Sequence, residues 1–186
     1  MTRELLILTA CSYIMDLDSF VGKRILVIGD VMLDKYIVGT VNRISPEAPV
    51  QVVDVKSEKY IPRGAANVAS NVASLGGIPV LVSMIGDDVI GKHLSSEIKD
   101  NGVTIDGLII DKNCATIQKV RIIAHQQQLV RIDYEQLSKI DVKVLIDKLS
   151  NIIVQADIIL VSDAKNYIIQ AIEAKSLLNA RCGITY

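Results

Sequence analysis

The sequence predicts an α/β protein built on a doubly wound parallel sheet. Two observations indicate this fold. Short, continuous apolar runs end in polar residues, as strands buried on both faces of a parallel sheet do, and amphipathic segments alternate with these runs. The chain has 186 residues, of which 50% are hydrophobic, so it can bury one core. We therefore expect one domain that binds ligands beyond the carboxyl ends of its strands.

The first strand is predicted from Arg24, where the apolar run RILVIGDVML begins. Residues 36–39 and 50–57 lie on either side of a turn signal at residues 45–49, and residues 50–57 alternate in character. Such segments suit a small, partly exposed β-flap better than a central sheet.

A βαβ unit follows the flap. Residues 64–75 carry small and apolar side chains on one face at helical spacing, the pair Gly76 and Gly77 ends that helix, and residues 78–85 form the next buried strand. Asp87 or Asp88 then caps a helix that ends at Gly102, before a strand at residues 103–110.

The last third of the sequence predicts a β-hairpin, after which strands and helices alternate again. Residues 115–124 and 128–135 are β-like runs on either side of His125, and we expect them to form the second half of the flap. Further elements follow as helix 141–154, strand 157–161, helix 167–178 and the start of a strand at 184–186.

Composition excludes several classes of protein. Twenty basic and twenty-one acidic residues give a net charge of −1 without a basic run, so we expect no nucleic-acid partner. No apolar run is long enough for a membrane helix. The three cysteines are far apart in the sequence, which indicates reduced thiols and a cytoplasmic location. We expect residues 1–14 to be an unstructured extension before Met15.

Two short motifs carry candidate binding residues. Asp30 and Asp34 follow the first strand, where their carboxylates could accept hydrogen bonds from sugar hydroxyls. Position alone favours the alternative, which is strand-end solvation or helix capping. Gly64 lies at a loop-to-helix junction, where the backbone can approach a ligand closely, and Asn67 follows in the first turn. The alternative for this second motif is an ordinary helix start.

Taken together, several motifs in this order resemble the ribokinase-type (PfkB) carbohydrate kinases: GDVMLD at 29–34, NRISPEAP at 42–49, RGAANVA at 63–69, LGG at 75–77 and IGDD at 85–88. The NRISPEAPV stretch and RIIAHQQQLVRID at 121–133 resemble heptose 7-phosphate kinase, the kinase half of the bifunctional enzyme of ADP-heptose synthesis. The resemblance spans residues 23–178. It implies a ribokinase-like, Rossmann-type three-layer α/β/α fold within residues 15–186, with a β-lid at about 35–62 and 115–134.

The resemblance also implies roles for individual residues. Asp34, Gly64 and Asn67 match the positions that hold sugar hydroxyls, and Arg43 and Arg121 of the lid are candidates for binding the sugar phosphate. For either arginine, a solvated charge on the flap is the alternative. The complete family enzyme uses ATP with Mg²⁺ to phosphorylate the C1 hydroxyl of heptose 7-phosphate, on the route to the lipopolysaccharide core.

The sequence departs from the family pattern at two places. Arg63 stands where the family usually has a second glycine, and its side chain would enter a spot used for close sugar approach unless it turns outward. The segment 161–166 is one residue shorter than its family counterpart and ends in Asn166 instead of glycine, so Asp163 and Lys165 receive no assigned role.

The sequence contains no Gly-Ala-Gly-Asp segment, which supplies the general base and the anion hole in the family. We therefore expect a truncated chain that binds ATP poorly. Two hypotheses remain: the sugar half of a kinase, or a non-catalytic sugar-phosphate-binding fragment or relic. A homodimer through the lid and a separately encoded carboxyl-terminal half are the expected partners. A dinucleotide-dependent oxidoreductase is disfavoured because the sequence lacks GxGxxG, and a P-loop is absent as well.

Overall fold

The computed structural model describes residues 20–135 and 142–162. Within them the elements, in chain order, are β1 (Arg24–Gly29), β2 (Val31–Ile44), β3 (Gln51–Gly64), α1 (Ala65–Ser74), β4 (Ile78–Gly86), α2 (Val89–Asp100), β5 (Thr104–Asp111), β6 (Gln118–Ala124), β7 (Gln127–Tyr134), α3 (Val142–Ile153) and β8 (Ile158–Ser162). The predicted extension at 1–14, the helix at 167–178 and the strand at 184–186 lie outside the described residues.

The first sheet is parallel and has the order β5-β4-β1-β8. Alternate side chains of β1 enter two different cores: Ile25 and Val27 pack with residues of α1 and α2, whereas Leu26 and Ile28 pack with residues of α3. Burial of each such side chain stabilises the fold by roughly 1.5 to 3 kcal/mol. Helices thus cover both faces of the sheet, which confirms the predicted three-layer α/β/α fold.

The second sheet has the order β3-β2-β6-β7, and we call it the lid sheet. Strands β2 and β3 form a long antiparallel hairpin, and β6 and β7 form a shorter one. Parallel pairing between β2 and β6 joins the two hairpins. The two flap segments predicted separately from the sequence therefore belong to one sheet.

The first predicted strand is in fact two strands. We expected one strand through Leu33, but β1 ends at Gly29 and the chain crosses at Asp30 into the lid sheet. The apolar sequence run extends past Gly29 because Val31 and Leu33 are also buried. These two residues belong to the lid sheet, whereas residues 24–29 belong to the parallel sheet. Gly29 permits close packing at the crossing, since a Cβ there would overlap the carbonyl oxygen of Ser162.

The predicted helix ends agree closely with the structure. Helix α1 stops at Ser74, and Gly76 follows with φ +81°, a left-handed conformation suited to glycine. Asp88 is the residue that caps α2, because its carboxylate accepts a 2.6 Å hydrogen bond from the Gly91 amide. No helix in the described part of the chain combines the length and apolar character needed to cross a membrane.

Asp88 also connects the parallel sheet to the segment that enters β6. Its carboxylate accepts hydrogen bonds from the amide of Thr116 at 2.8 Å and from the Thr116 hydroxyl at 2.9 Å. The same hydroxyl accepts a hydrogen bond from the amide of Gly86 at 3.0 Å. Burial acts most strongly and raises the pKa of Asp88, but the hydrogen bonds from Thr116 and Gly91 together outweigh it and leave the pKa below its usual value.

Substitution of Asp88 by Asn is expected to lower the free energy of unfolding by about 1 to 2 kcal/mol at pH 7. A depressed folded-state pKa stabilises the fold above the unfolded-state pKa of about 3.9, and this contribution is lost as the pH falls through the lower folded-state value. The difference between wild type and variant should therefore shrink below about pH 4. Urea unfolding at pH 7, 4 and 3 measures this difference in stability. Asp87→Asn, a substitution of the exposed neighbouring residue, is the control. A difference independent of pH would contradict the assignment.

The hairpin between β6 and β7 turns through two residues in left-handed conformations. His125 has φ +50° and Gln126 has φ +66°, the pattern of a type I′ turn, which usually contains Asn and Gly. The sequence predicted a longer loop that included Gln127, but Gln127 already pairs with Ala124. His125 Nε2 lies 3.1 Å from the carbonyl oxygen of Val41.

Substitution of Gln126 by Gly is expected to raise the free energy of unfolding by about 0.5 to 1 kcal/mol, because glycine adopts positive φ without a steric cost. Gln128→Gly is the matched control, since Gln128 lies in β7 and glycine weakens a strand. Chemical denaturation measures both variants. Equal destabilisation by the two substitutions would show that the turn is not strained.

Candidate functional site

The candidate site centres on Asp34 in the lid sheet, five residues beyond the last residue of β1. Its residue surface is 0% exposed, an unusual position for a carboxylate. Oδ2 lies 3.1 Å from Arg121 Nη2 and 3.3 Å from Arg63 Nε, and the Tyr36 hydroxyl lies 3.4 Å away. Oδ1 is buried and accepts no hydrogen bond from the part of the chain that the structure describes. A ligand hydroxyl is the kind of donor that this oxygen lacks.

The two arginines reach Asp34 from the two neighbours of its strand. Arg63 comes from β3, where it lies opposite Met32, and Arg121 comes from β6, where it lies opposite Tyr36. The side chain of Arg121 is 17% exposed and that of Arg63 is 47% exposed. Asp34 is therefore held by one enclosed and one open guanidinium.

Tyr36 helps to hold Arg121 in place. The guanidinium carbon of Arg121 lies 5.7 Å from the centre of the Tyr36 ring. The interaction with Tyr36 contributes most to raising the pKa of Arg121; burial opposes it, and the charge of Asp34 adds to the increase. Arg121 therefore stays positively charged, as an anion-binding group must.

The amino terminus of α1 meets the end of β1 through Gly64 and Asp30. Gly64 caps α1 with φ +65° and ψ −139°, a conformation that favours glycine, and a Cβ there would overlap the carbonyl oxygen of Asp30. The Asp30 carbonyl in turn accepts a 2.9 Å hydrogen bond from the amide of Ala65. No side chain of the described residues caps α1, so its first turn keeps amide groups that could donate to a ligand oxygen.

Neither of the two other predicted residues makes an ion pair or a side-chain hydrogen bond to Asp34. Asn67 is exposed in the first turn of α1, and its side chain makes no hydrogen bond to the described residues. Arg43 is exposed near the outer end of β2, nine residues from Asp34, which corresponds to about 30 Å along an extended strand. The structure thus brings Arg121, but not Arg43, to Asp34.

Sequence reasoning missed two neighbours of Asp34. Tyr36 could have been found, since residues two apart on a strand share a face. Arg63 was recognised as a departure from the family pattern, but its contact with Asp34 Oδ2 was not predicted. Asp163, Lys165 and Asn166 lie outside the described residues. Among residues 20–135 and 142–162, no group of three or more His, Cys, Asp or Glu side chains could hold a metal ion.

Comparison with known proteins gives consistent results. The family model described as "pfkB family carbohydrate kinase" matches residues 23–180. The bifunctional protein HldE of Helicobacter pylori (strain J99) is 44% identical over 144 residues, which cover 76% of this chain and 31% of that protein. HldE of Caulobacter vibrioides is 41% identical over 145 residues, which cover 78% of this chain and 30% of that protein. The chain thus spans about a third of the length of these relatives.

Solved structures show the same fold. A carbohydrate kinase from Agrobacterium tumefaciens has a TM-score of 0.57 and 20% identity, covering 75% of this chain and 45% of that chain. Ribokinase of Arabidopsis thaliana, complexed with ribose and ATP, has a TM-score of 0.54 and 20% identity. The match covers 76% of this chain and 45% of the ribokinase chain. The matched region corresponds to a ribokinase-like fold and includes every described strand and helix. The chain therefore belongs to the pfkB family of carbohydrate kinases.

Proposed function

We propose that this chain is the sugar-phosphate-binding part of an ATP-dependent kinase that phosphorylates heptose 7-phosphate at C1, for ADP-heptose and lipopolysaccharide-core synthesis. The observation that carries the proposal is the buried carboxylate of Asp34, which has one oxygen without a donor and two arginines at the other. Identities of 39–46% to HldE proteins support the heptose 7-phosphate assignment.

The sugar would bind where three groups meet the carboxyl end of β1. Asp34 Oδ1 would accept a hydrogen bond from a sugar hydroxyl, Gly64 would allow close approach of the ring to the backbone, and the Asn67 amide would donate to and accept from a second hydroxyl. Arg121 would bind the phosphate, because a guanidinium matches the geometry of two phosphate oxygens. Arg43 would contribute only if the lid brought it closer.

The ATP half of the reaction needs groups that this sequence does not contain. Phosphoryl transfer depends on positioning and on charge stabilisation, and in the family a Gly-Ala-Gly-Asp segment supplies the base and anion hole. ATP with Mg²⁺ would therefore act on the bound sugar only together with a carboxyl-terminal half. Without that half, the chain would be a non-catalytic sugar-phosphate-binding fragment, which is the alternative.

Two sheet edges would receive partners. Strand β8 pairs with β1 and with no other described strand, and Val161 is 43% exposed, so a carboxyl-terminal half could extend the parallel sheet there. Every residue of β7 is exposed, including Val130, Ile132 and Tyr134, so a second copy could cover the lid sheet. A cytoplasmic location belongs to this proposal, since the three cysteines are far apart in the sequence and suit a reducing compartment.

A reconstitution experiment tests the proposal. The whole chain is mixed with the carboxyl-terminal kinase segment of the Helicobacter relative, and ADP release is followed with heptose 7-phosphate present and absent. We expect sugar-dependent ADP release from the mixture and none from the chain alone. The positive control is the same segment with its own amino-terminal half. Activity in that control but not in the mixture, with sugar binding by the chain intact, favours the non-catalytic alternative.

A further inference from the structure

Arg63 is the residue at the candidate site that the family pattern does not explain. It lies on the same face of the lid sheet as Asp34, in the strand next to it, and its Nε is 3.3 Å from Asp34 Oδ2. With 47% of its side chain exposed, it makes no other ion pair or hydrogen bond to the described residues. Its terminal nitrogens are thus available to a ligand.

The charges around Asp34 do not balance. One carboxylate faces the two permanent positive charges of Arg63 and Arg121, which leaves a local excess of about one positive charge. Two neighbouring cations on the same sheet face have partners of their own: Lys119 pairs with Glu135 at 3.5 Å, and Arg131 pairs with Asp133 at 2.9 Å. A third, Lys59 opposite Tyr36, has no ion pair among the described residues and adds to the positive charge. The excess therefore remains concentrated at the Asp34 cluster, where it favours a ligand that carries negative charge.

Of the two guanidinium groups at Asp34, that of Arg63 is the freer to move. Oδ1 of Asp34 is buried, so a sugar hydroxyl reaches it only after a covering side chain moves. Of the two arginines, Arg63 is the more exposed and contacts Asp34 through Nε, whereas Arg121 is enclosed beside Tyr36. Arg63 is therefore the guanidinium that moves at the lower cost.

We infer that Arg63 is a specificity-determining residue that, with Arg121, binds the phosphate of the sugar and selects against sugars without a phosphate. A neutral sugar that displaces Arg63 from Asp34 leaves the guanidinium without a partner. With a sugar phosphate, the phosphate takes the place of Asp34 as the partner of Arg63. It forms bidentate, charge-assisted hydrogen bonds, because two phosphate oxygens match the geometry of the guanidinium. This inference rests on the proposed function, since it assumes that a sugar phosphate occupies the site.

The test is calorimetric titration of the whole chain with heptose 7-phosphate and with the same heptose lacking the phosphate. For Arg63→Gln, which removes the charge and leaves a shorter, unbranched polar side chain in the strand, we expect a Kd for the sugar phosphate about tenfold higher. The Kd for the neutral sugar should be unchanged or lower. Arg63→Lys keeps the charge but not the fork, and it should restore part of the preference. Arg131→Gln, an exposed arginine of the same sheet, is the matched control and should leave both values unchanged.

The outcomes separate the two claims. If wild type binds the sugar phosphate but Arg63→Gln keeps the ratio of the two Kd values within about twofold, the inference fails and the proposed function stands. If Arg63→Gln weakens both ligands equally, Arg63 only supports the site and the inference fails as well. If the wild-type chain binds neither ligand although thermal unfolding shows that it is folded, both claims fail.

Discussion

Substitution of Asp34 by Asn is expected to raise the Kd for heptose 7-phosphate by about 100-fold, because a hydrogen bond to a buried charged group contributes roughly 1.5 to 3 kcal/mol. The amide keeps the shape of the carboxylate but replaces one acceptor oxygen with a donor. It also removes the negative charge that holds Arg63 and Arg121 in position. Titration calorimetry on the whole chain measures the change.

The matched control for Asp34 is Asp106→Asn, an exposed carboxylate of β5 in the other sheet, which should leave the Kd unchanged. Asp34→Asn also removes the ion pair of Arg121 inside the lid sheet, so the variant can lose stability independently of any loss of sugar binding. Thermal unfolding of the variant therefore accompanies each titration. A folded Asp34→Asn variant that binds within about threefold of wild type would remove Asp34 from the site.

Substitution of Gly64 by Ala should cause the largest loss of stability, about 2 to 4 kcal/mol. Positive φ alone costs a residue other than glycine about 1 to 3 kcal/mol, and here the added Cβ would also overlap the Asp30 carbonyl oxygen. To relieve the overlap, either α1 or the end of β1 must shift, so sugar binding should be lost as well. Chemical denaturation measures the change in stability.

Gly22→Ala separates the two causes. Gly22 has φ +69°, close to that of Gly64, but a Cβ there would meet nothing within 4 Å. Its substitution should therefore cost only about 1 kcal/mol and leave sugar binding intact. Equal losses at the two glycines would mean that backbone strain, and not the contact with Asp30, decides the effect.

Most of the parallel sheet and its helices could be predicted because their signals are local. The helical spacing of Ala65, Ala69 and Val72 and the cap at Asp88 each lie within a few residues of the element they define. The end of β1 could not be predicted in this way. Its apolar run continues into β2 because both strands are buried, although they belong to different sheets.

The site was less accessible to prediction because it depends on pairing between distant segments. Asp34 and Arg121 are 87 residues apart and meet only because β6 aligns parallel to β2, which no local pattern specifies. Arg63 was recognised as an unusual residue, but the direction of its side chain follows from the register of β3 against β2. Family resemblance supplied Asp34 and Arg121 as candidates, and the structure supplied the contact between them and the contact of Arg63 with Asp34.

The proposed function depends most on one claim, that this chain binds a sugar phosphate at Asp34. Titration of the whole, folded chain with heptose 7-phosphate, with and without ATP and Mg²⁺, tests it most directly. The account predicts binding of the sugar phosphate that needs no ATP, together with no release of ADP. A folded chain that binds ATP but not heptose 7-phosphate would contradict it.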